Sequence, residues 1–453
     1  MKITVIGCGY VGLVSGVCLA DVGHEILALD ISQDVVTMLN QGNPHIHEIG
    51  LHDLLSKAIS CNQFKAKLMT HEALMENDIF LIAVGTPSNQ GKIDLTHIEA
   101  AISDVAEVIK LKETKCTVIV KSTVIPGTTD TFIKELLEKK SGKSASQFHL
   151  AMNPEFLREG NAVQDFMLPD RIILGCEGEE TRSILEMIYR PWSCDKLFCN
   201  AREAEMIKYA CNYLLALQIS ASNEMANLCV ALGGIDAMSV IEGIALDKRW
   251  FPNKKLKPEI LSYLTPGCGF GGSCFPKDVE AFRTLQGEVG LTPYMAQAIL
   301  DVNAQQPKKI AMSLKKHLGE LTGKKILLLG LAFKPGTDDI RESPALKIGY
   351  DLLEHGALLQ AHDPIAMHHV SLKHPVFKDA LVSDWKAAAN LCEIIILATP
   401  WEEYRILSDL LEHEASSTKV LFDCRRMFEA LKFKKTTYMG MGYSKKKVAT
   451  CIS

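Results

Sequence analysis

The apolar pattern changes period twice within the first thirty residues. Ile3-Thr4-Val5-Ile6 is a short β-branched run that stops at Gly7, the signature of a strand buried on both faces. The stretch that follows reads as helix and ends near Gly23. Glu25-Ile26-Leu27-Ala28-Leu29-Asp30 then reads as a second strand. Asp78 to Val84 and Thr117-Val118-Ile119-Val120 repeat the strand pattern between helical stretches. Strands alternating with helices predict a parallel sheet covered on both faces.

Between about 201 and 232 there is neither Pro nor Gly, and Gly233 ends the run. Ala204, Met206, Ile207, Leu214, Leu215, Leu217, Ile219 and Leu228 make it one long helix, apolar over much of its surface. Such a helix is usually buried between domains or subunits, so a homodimer at least is expected. The last third repeats the opening. Lys325-Ile326-Leu327-Leu328-Leu329-Gly330 matches the first strand, the segment from Leu353 to Asp363 parallels Ala20 to Asp30, and Glu393 to Pro400 parallels Asp78 to Pro87. The expected fold is α/β, with two Rossmann-like doubly wound parallel-sheet domains joined by a long central helix and a helical middle domain. The expected divisions are 1–200, 201–300 and 301–453. The second sheet lacks a triple-glycine turn, so no dinucleotide is expected there.

Composition narrows the class. At 453 residues the chain is expected to hold two or three domains. A net charge of -5 gives no basic field to attract nucleic acid or an anionic membrane. Fourteen cysteines are scattered without any C-x-x-C pair, which predicts reduced thiols in a cytoplasmic protein. No apolar run reaches the ~18 residues a membrane span needs. Lys2 and the apolar stretch to Cys18-Leu19-Ala20 superficially resemble a signal peptide, but glycines at 7, 9, 12 and 16 interrupt it.

Gly7-Cys8-Gly9-Tyr10-Val11-Gly12 is a G-x-G-x-x-G placed after a strand and opening a helix. Glycines there permit a tight turn and close approach of a pyrophosphate to a helix N-terminus. Asp30 ends the next strand, where a carboxylate accepts from both ribose hydroxyls and repels a 2'-phosphate. The cofactor is therefore expected to be NAD rather than NADP. Cys274 lies in Gly269-Phe270-Gly271-Gly272-Ser273-Cys274-Phe275-Pro276-Lys277-Asp278. A cysteine taken at random is a small buried hydrophobe. Here glycines leave room for substrate, Lys277 favours thiolate and Asp278 offers a carboxylate to activate water. Together they point to covalent acyl chemistry. Lys208 and Asn212 share a helix face at i, i+4. Alone, such a lysine is a solvated or snorkelling residue; turned inward it stabilises an oxyanion. Asn153-Pro154-Glu155-Phe156-Leu157-Arg158-Glu159-Gly160 reads by default as a charged surface loop. Ser122-Thr123 and Thr86 stand at strand ends, where parallel sheets bind ligands.

These motifs, with Lys121-Ser122-Thr123 and the stretch Leu331 to Pro344, resemble the UDP-glucose/GDP-mannose dehydrogenase family over nearly the whole chain. The resemblance implies oxidation of a nucleotide sugar from alcohol to acid, with two NAD+ per sugar. It assigns Cys274 as nucleophile, passing through a thiohemiacetal and a thioester. Lys208 is the oxyanion-stabilising cation. Asp278, Asn212 and Thr123 handle protons and water, and Glu155 assists hydrolysis. Gly7, Gly9, Tyr10, Val11, Gly12, Asp30, Thr86, Thr123, Glu159, Lys277 and Arg341 match cofactor positions. Glu155, Phe156, Leu157, Arg158, Glu159, Lys208, Asn212, Gly271, Lys334 and the run Tyr263, Leu264, Thr265, Pro266 and Gly267 match positions that hold the nucleotide sugar.

The chain also departs from the family pattern. An Arg-Ile-Gly segment before the cysteine loop, whose Arg reaches a neighbouring subunit's substrate, is replaced by Asp247 to Lys255, with Arg249 as its counterpart. A Lys soon after Asp30 is replaced by Val35 and Val36. The usual Arg-Asn near the end reads Arg425-Arg426, and His45-Ile46-His47-Glu48-Ile49-Gly50 replaces Pro-Ile-Tyr-Glu-Pro-Gly. The tail from Lys432 carries the basic run Lys445-Lys446-Lys447 and reads as a solvated end. The substrate-facing changes bear on which sugar is oxidised. A GDP-mannose or UDP-N-acetylhexosamine dehydrogenase, a two-electron β-hydroxyacid dehydrogenase and a non-catalytic NAD sensor remain the rival readings.

Overall fold

A computed structural model describes residues 1–89, 91–251, 258–414 and 419–444. Its contacts divide the chain into two compact units, Met1–Cys211 and Asn212–Ser453.

The first unit is built on an eight-stranded sheet. Its strands are β1 (Lys2–Ile6), β2 (Glu25–Asp30), β3 (Phe64–Leu68), β4 (Ile79–Ile82), β5 (Thr117–Val120), β6 (His149–Met152), β7 (Arg171–Cys176) and β8 (Asp195–Cys199). Their order is β8-β7-β6-β5-β4-β1-β2-β3. β1, β4 and β5 are buried almost throughout, as their unbroken apolar runs predict. β6 and β7 form one antiparallel pair, which the purely parallel expectation did not include. β3 and β8 lie at the edges, and both carry exposed polar residues, so neither reads as a buried run. Helix α1 (Tyr10–Asp21) follows β1 directly and is buried from Gly12 to Ala20.

The predicted long helix is present as α2 (Ala201–Leu232). It begins in the first unit and ends in the second. In the second unit, α3 (Phe275–Glu288) and α4 (Tyr294–Leu318) precede a five-stranded, wholly parallel sheet. Its strands are β9 (Lys325–Leu329), β10 (Leu358–His362), β11 (Ile394–Leu397), β12 (Val420–Asp423) and β13 (Thr437–Gly440), in the order β10-β9-β11-β12-β13. Aligning β9 with β1, β10 with β2, β11 with β4 and β12 with β5 reproduces the strand order of the first sheet. The helix that follows β9, α5 (Pro344–Glu354), begins only after a long loop.

The cysteines among the described residues are all thiols. Among those residues, no helix is long and apolar enough to cross a membrane. Part of the altered segment before the cysteine loop, 252–257, and the Lys445-Lys446-Lys447 run lie outside the described residues.

Candidate active site

Each unit carries half of the candidate chemistry. In the first, Gly7 closes β1 at a φ of +90° and donates its N–H to Leu29 O at 2.8 Å. A Cβ at Gly12 would lie 1.9 Å from the Gly7 carbonyl oxygen, so only glycine lets α1 start so close to the strand. At Gly9 the space is open, with nothing within 4 Å of where a Cβ would stand. Asp30 is half-buried; one carboxylate oxygen accepts from Cys8 N at 2.8 Å and the other from Ser32 N at 2.9 Å. Each carboxylate oxygen has two acceptor sites, so capacity remains for ribose hydroxyls. An open glycine, a helix N-terminus and an incompletely used carboxylate fit the NAD expectation. Tyr10 and Val11 form the first turn of α1. At the ends of β4 and β5, Thr86 donates its hydroxyl to Thr123 O at 2.8 Å, which brings these two residues together.

The Asn153–Gly160 segment leaves β6, and the surface reading fails at its centre. Glu155 is 6% exposed and Lys208 is 3% exposed, and Lys208 Nζ lies 2.9 Å from Glu155 Oε1. The other oxygen of Glu155 accepts from Leu157 N at 2.6 Å. Burial pushes the Glu155 carboxyl up, but the Lys208 charge and hydrogen bond, the Leu157 N–H and Lys121 together outweigh it. The carboxyl titrates below its usual range. Lys208 is therefore not a snorkelling side chain but a fixed internal cation, with its ammonium 5.4 Å from the Phe156 ring centre. Arg158 turns away to pair with Asp165 at 2.7 Å. Glu159 is half-buried beside it.

Two residues that stood in quoted motifs without a role of their own support this pair. Lys121 is buried at the end of β5 and donates to Asn153 Oδ1 at 2.9 Å. Burial pushes its ammonium down to about 8, opposed by the Glu155 charge and assisted by that of Lys208. Asn153 in turn donates to Ile173 O at 2.9 Å and accepts from the Tyr189 hydroxyl, which fixes the start of the Glu155 segment. Strand-end position was the available signal for Lys121, since it immediately precedes the Ser122-Thr123 pair.

In the second unit Cys274 is half-buried and caps the N-terminus of α3, with Pro276 in the helix's first turn. A helix N-terminus carries partial positive charge and favours thiolate, a device that adds to the charge expected from Lys277. The Ser273 hydroxyl lies 3.5 Å from Cys274 Sγ. In the first unit, burial with nearby carboxylates pushes the Cys8 and Cys18 thiols each up to about 12. Asp278 stands one turn along α3 and is 2% exposed. It accepts from Asn212 Nδ2 at 2.6 Å and from Lys277 Nζ at 2.8 Å. Asn212, Lys277 and Asp278 are thus one cluster, with Cys274 on the same helix.

The glycines of the cysteine loop serve packing. A Cβ at Gly271 would lie 2.3 Å from Glu342 O, and one at Gly272 would lie 2.9 Å from the Phe333 ring. On the side where a Cβ would stand, the loop between β9 and α5 packs against these glycines. That loop also carries Lys334, 5.6 Å from the Phe333 ring centre, and Arg341, which pairs with Asp339 at 2.8 Å. The Tyr263–Gly267 run is held by α2. Ser222 donates to Leu264 O, and Gly267 N donates to Asn223 Oδ1 at 2.8 Å. Thr265 N bonds back to Ser262 O at 3.1 Å, Pro266 is buried, and the Tyr263 ring lies 6.5 Å from that of Phe275. Arg249 stands apart, with an 87% exposed side chain paired to Asp247. Arg426 adopts a φ of +54°, a conformation that the family's Asn takes more readily, and its guanidinium pairs with Asp236 at 2.7 Å.

Family models match three consecutive stretches. The NAD binding domain of the UDP-glucose/GDP-mannose dehydrogenase family matches residues 1–193, its central domain 202–305 and its UDP binding domain 327–430. The UDP-glucose 6-dehydrogenase AglM of Haloferax volcanii is 37% identical over 434 residues, covering 94% of this chain and 97% of its own. A solved UDP-glucose dehydrogenase from the archaeon Pyrobaculum islandicum is 38% identical with a TM-score of 0.88, covering 98% of each chain. A UDP-D-ManNAc dehydrogenase structure from Pyrococcus horikoshii is 26% identical with a TM-score of 0.81, covering 98% of this chain and 100% of its own.

Proposed function

Because the chain belongs to the UDP-glucose/GDP-mannose dehydrogenase family and is an NAD-dependent oxidoreductase, we propose that it oxidises UDP-glucose at C6 to UDP-glucuronate through a thioester on Cys274. The observation that carries this reading is a half-buried thiol at a helix N-terminus, one turn from a buried carboxylate already held by Asn212 and Lys277. Bound NAD supplies the hydride acceptor for each of the two oxidations. Gly7, Gly9, Gly12 and Asp30 would hold it, with Thr86, Thr123 and Glu159 beside them.

The chain's own residues do the rest. The Cys274 thiolate adds to the C6 aldehyde, forming a C–S bond, and a proton goes to the resulting oxygen. Oxidation of this thiohemiacetal gives the thioester. Water then attacks the acyl carbon, the C–S bond breaks and the thiolate leaves. Asp278, oriented by Asn212, takes a proton from the water. Lys208 supplies the fixed cation against which negative charge on oxygen develops, and Glu155 keeps that cation in place. The similarity to proteins named UDP-glucose dehydrogenases at 37% and 38% identity supports glucose over N-acetylmannosamine, whose named dehydrogenase is 26% identical.

The test is stoichiometry. With UDP-glucose, two NADH should form per sugar consumed, and kcat/KM should exceed that for GDP-mannose or UDP-N-acetylhexosamines. Cys274→Ser should lower overall turnover by about a thousandfold or more, or trap an ester. One NADH per sugar with released aldehyde would overturn the thioester route.

A further inference from the structure

We propose that Glu48 is a positioning residue for the cofactor, tying the glycine turn to the segment that carries Glu155 and Glu159. It keeps the glutamate of the family pattern within the otherwise altered His45–Gly50 stretch, and has no role in the chemistry above. Glu48 is 6% exposed. A buried carboxylate is costly unless hydrogen bonds satisfy it. One of its oxygens accepts from Ala162 N at 2.8 Å. The other accepts from Gly160 N at 2.8 Å and from the Tyr10 hydroxyl. The Tyr10 hydroxyl also lies 3.1 Å from Gly160 N.

The three donors come from two places that matter to the cofactor. Tyr10 opens α1 immediately after Gly9, the open position of the turn. Gly160 follows Glu159 directly. Without the Glu48 carboxylate, the Ala162 N–H loses its acceptor, and the Gly160 N–H and the Tyr10 hydroxyl are left with their contact to each other. The burial of Tyr10 and its carboxylate partner push its phenol far up, so it stays protonated and remains the donor.

The inference rests on the NAD reading of the turn but not on the identity of the sugar. NAD+ binding is therefore measured by calorimetry without sugar, for wild type, Glu48→Ala, Glu48→Gln and Tyr10→Phe. Glu48→Ala should weaken NAD+ binding about tenfold or more, since charged hydrogen bonds are strong and their stranded donors costly. Glu48→Gln and Tyr10→Phe should each weaken it about threefold, and Tyr10→Phe should add little in the Glu48→Ala background. In turnover, KM for NAD+ should rise while KM for UDP-glucose stays within about twofold, a split that loss of folded protein does not produce. NAD+ binding within twofold of wild type in Glu48→Ala, or an equal rise in both KM values, overturns the proposal. If Glu48→Ala does not fold, unchanged NAD+ affinity in both Glu48→Gln and Tyr10→Phe overturns it. Failure of the wild type to bind NAD+ would sink the nucleotide reading itself; binding that the variants leave intact would sink only this inference.

Discussion

The two sheets use the same strand-end device, and only one leaves it open. Gly7 and Gly330 have φ values of +90° and +87°, and each donates to the neighbouring strand at 2.8 Å, to Leu29 O and His362 O. In each sheet an aspartate stands just across that turn, Asp30 in one and Asp363 in the other. Asp30 receives two backbone N–H groups and is half-buried. Asp363 is fully buried and receives Leu331 N, Ala332 N, Ile365 N, Ala366 N and the Trp401 indole N–H. Its acceptor capacity is spent inside the protein. The helices differ too: α1 starts at Tyr10, at the turn, while α5 starts at Pro344, far from Gly330. On the NAD reading proposed above, the shared topology serves a dinucleotide where the carboxylate and the helix end are left for a ligand.

The largest test of this contrast is Asp363→Asn. Stranding several buried donors should cost about 3 kcal/mol or more in unfolding free energy, with NAD+ affinity unchanged within twofold. A stable variant that lost NAD+ would reverse the comparison. Next, Asp30→Asn should weaken NAD+ binding about tenfold while stability changes by no more than about 1 kcal/mol, read by calorimetry and thermal melting. A large loss of stability with intact affinity would make Asp30 structural, like Asp363.

The smallest effect separates the ends of β5 and β12. Lys121 follows β5, and burial brings its ammonium from the ordinary 10.5 to about 8. The folded value lies below the unfolded one, so between about 8 and 10.5 the unfolded chain binds more protons. In that window the Lys121 contribution increasingly favours the folded state as pH rises; below about 8 its burial cost is felt in full. Melting curves should show wild type gaining on Lys121→Met across the window. Cys424 follows β12; burial and its Cys268 partner push its thiol well above 9.0, so there the sign reverses and wild type should lose ground to Cys424→Ala as pH rises past about 9. Parallel pH profiles for wild type and Lys121→Met would remove Lys121 as the source.

Much of this was legible before the structure. β1, β2, β4, β5 and β9 announce themselves as apolar runs because both of their faces are buried. β3 and β8 were not legible, since edge strands carry polar residues and no continuous run. The G-x-G-x-x-G and Asp30 could be read because their work is local, a turn and a strand end. Glu155 could not be read as buried, nor Lys208 as its partner, because 53 residues separate them and neither neighbourhood is unusual. Lys121 and Glu48 stood in quoted motifs but received no role, because their partners too lie far along the chain.

The sequence alone determined the alternation of strands and helices, the glycine turn and the cysteine placed one helical turn before an aspartate. These are short-range patterns, set by period and by backbone conformation. Only tertiary structure decided which charges are internal and which carboxylates are already satisfied. Burial and hydrogen-bond partners come from distant segments, and they separate Asp30, with capacity to spare, from Asp363, with none.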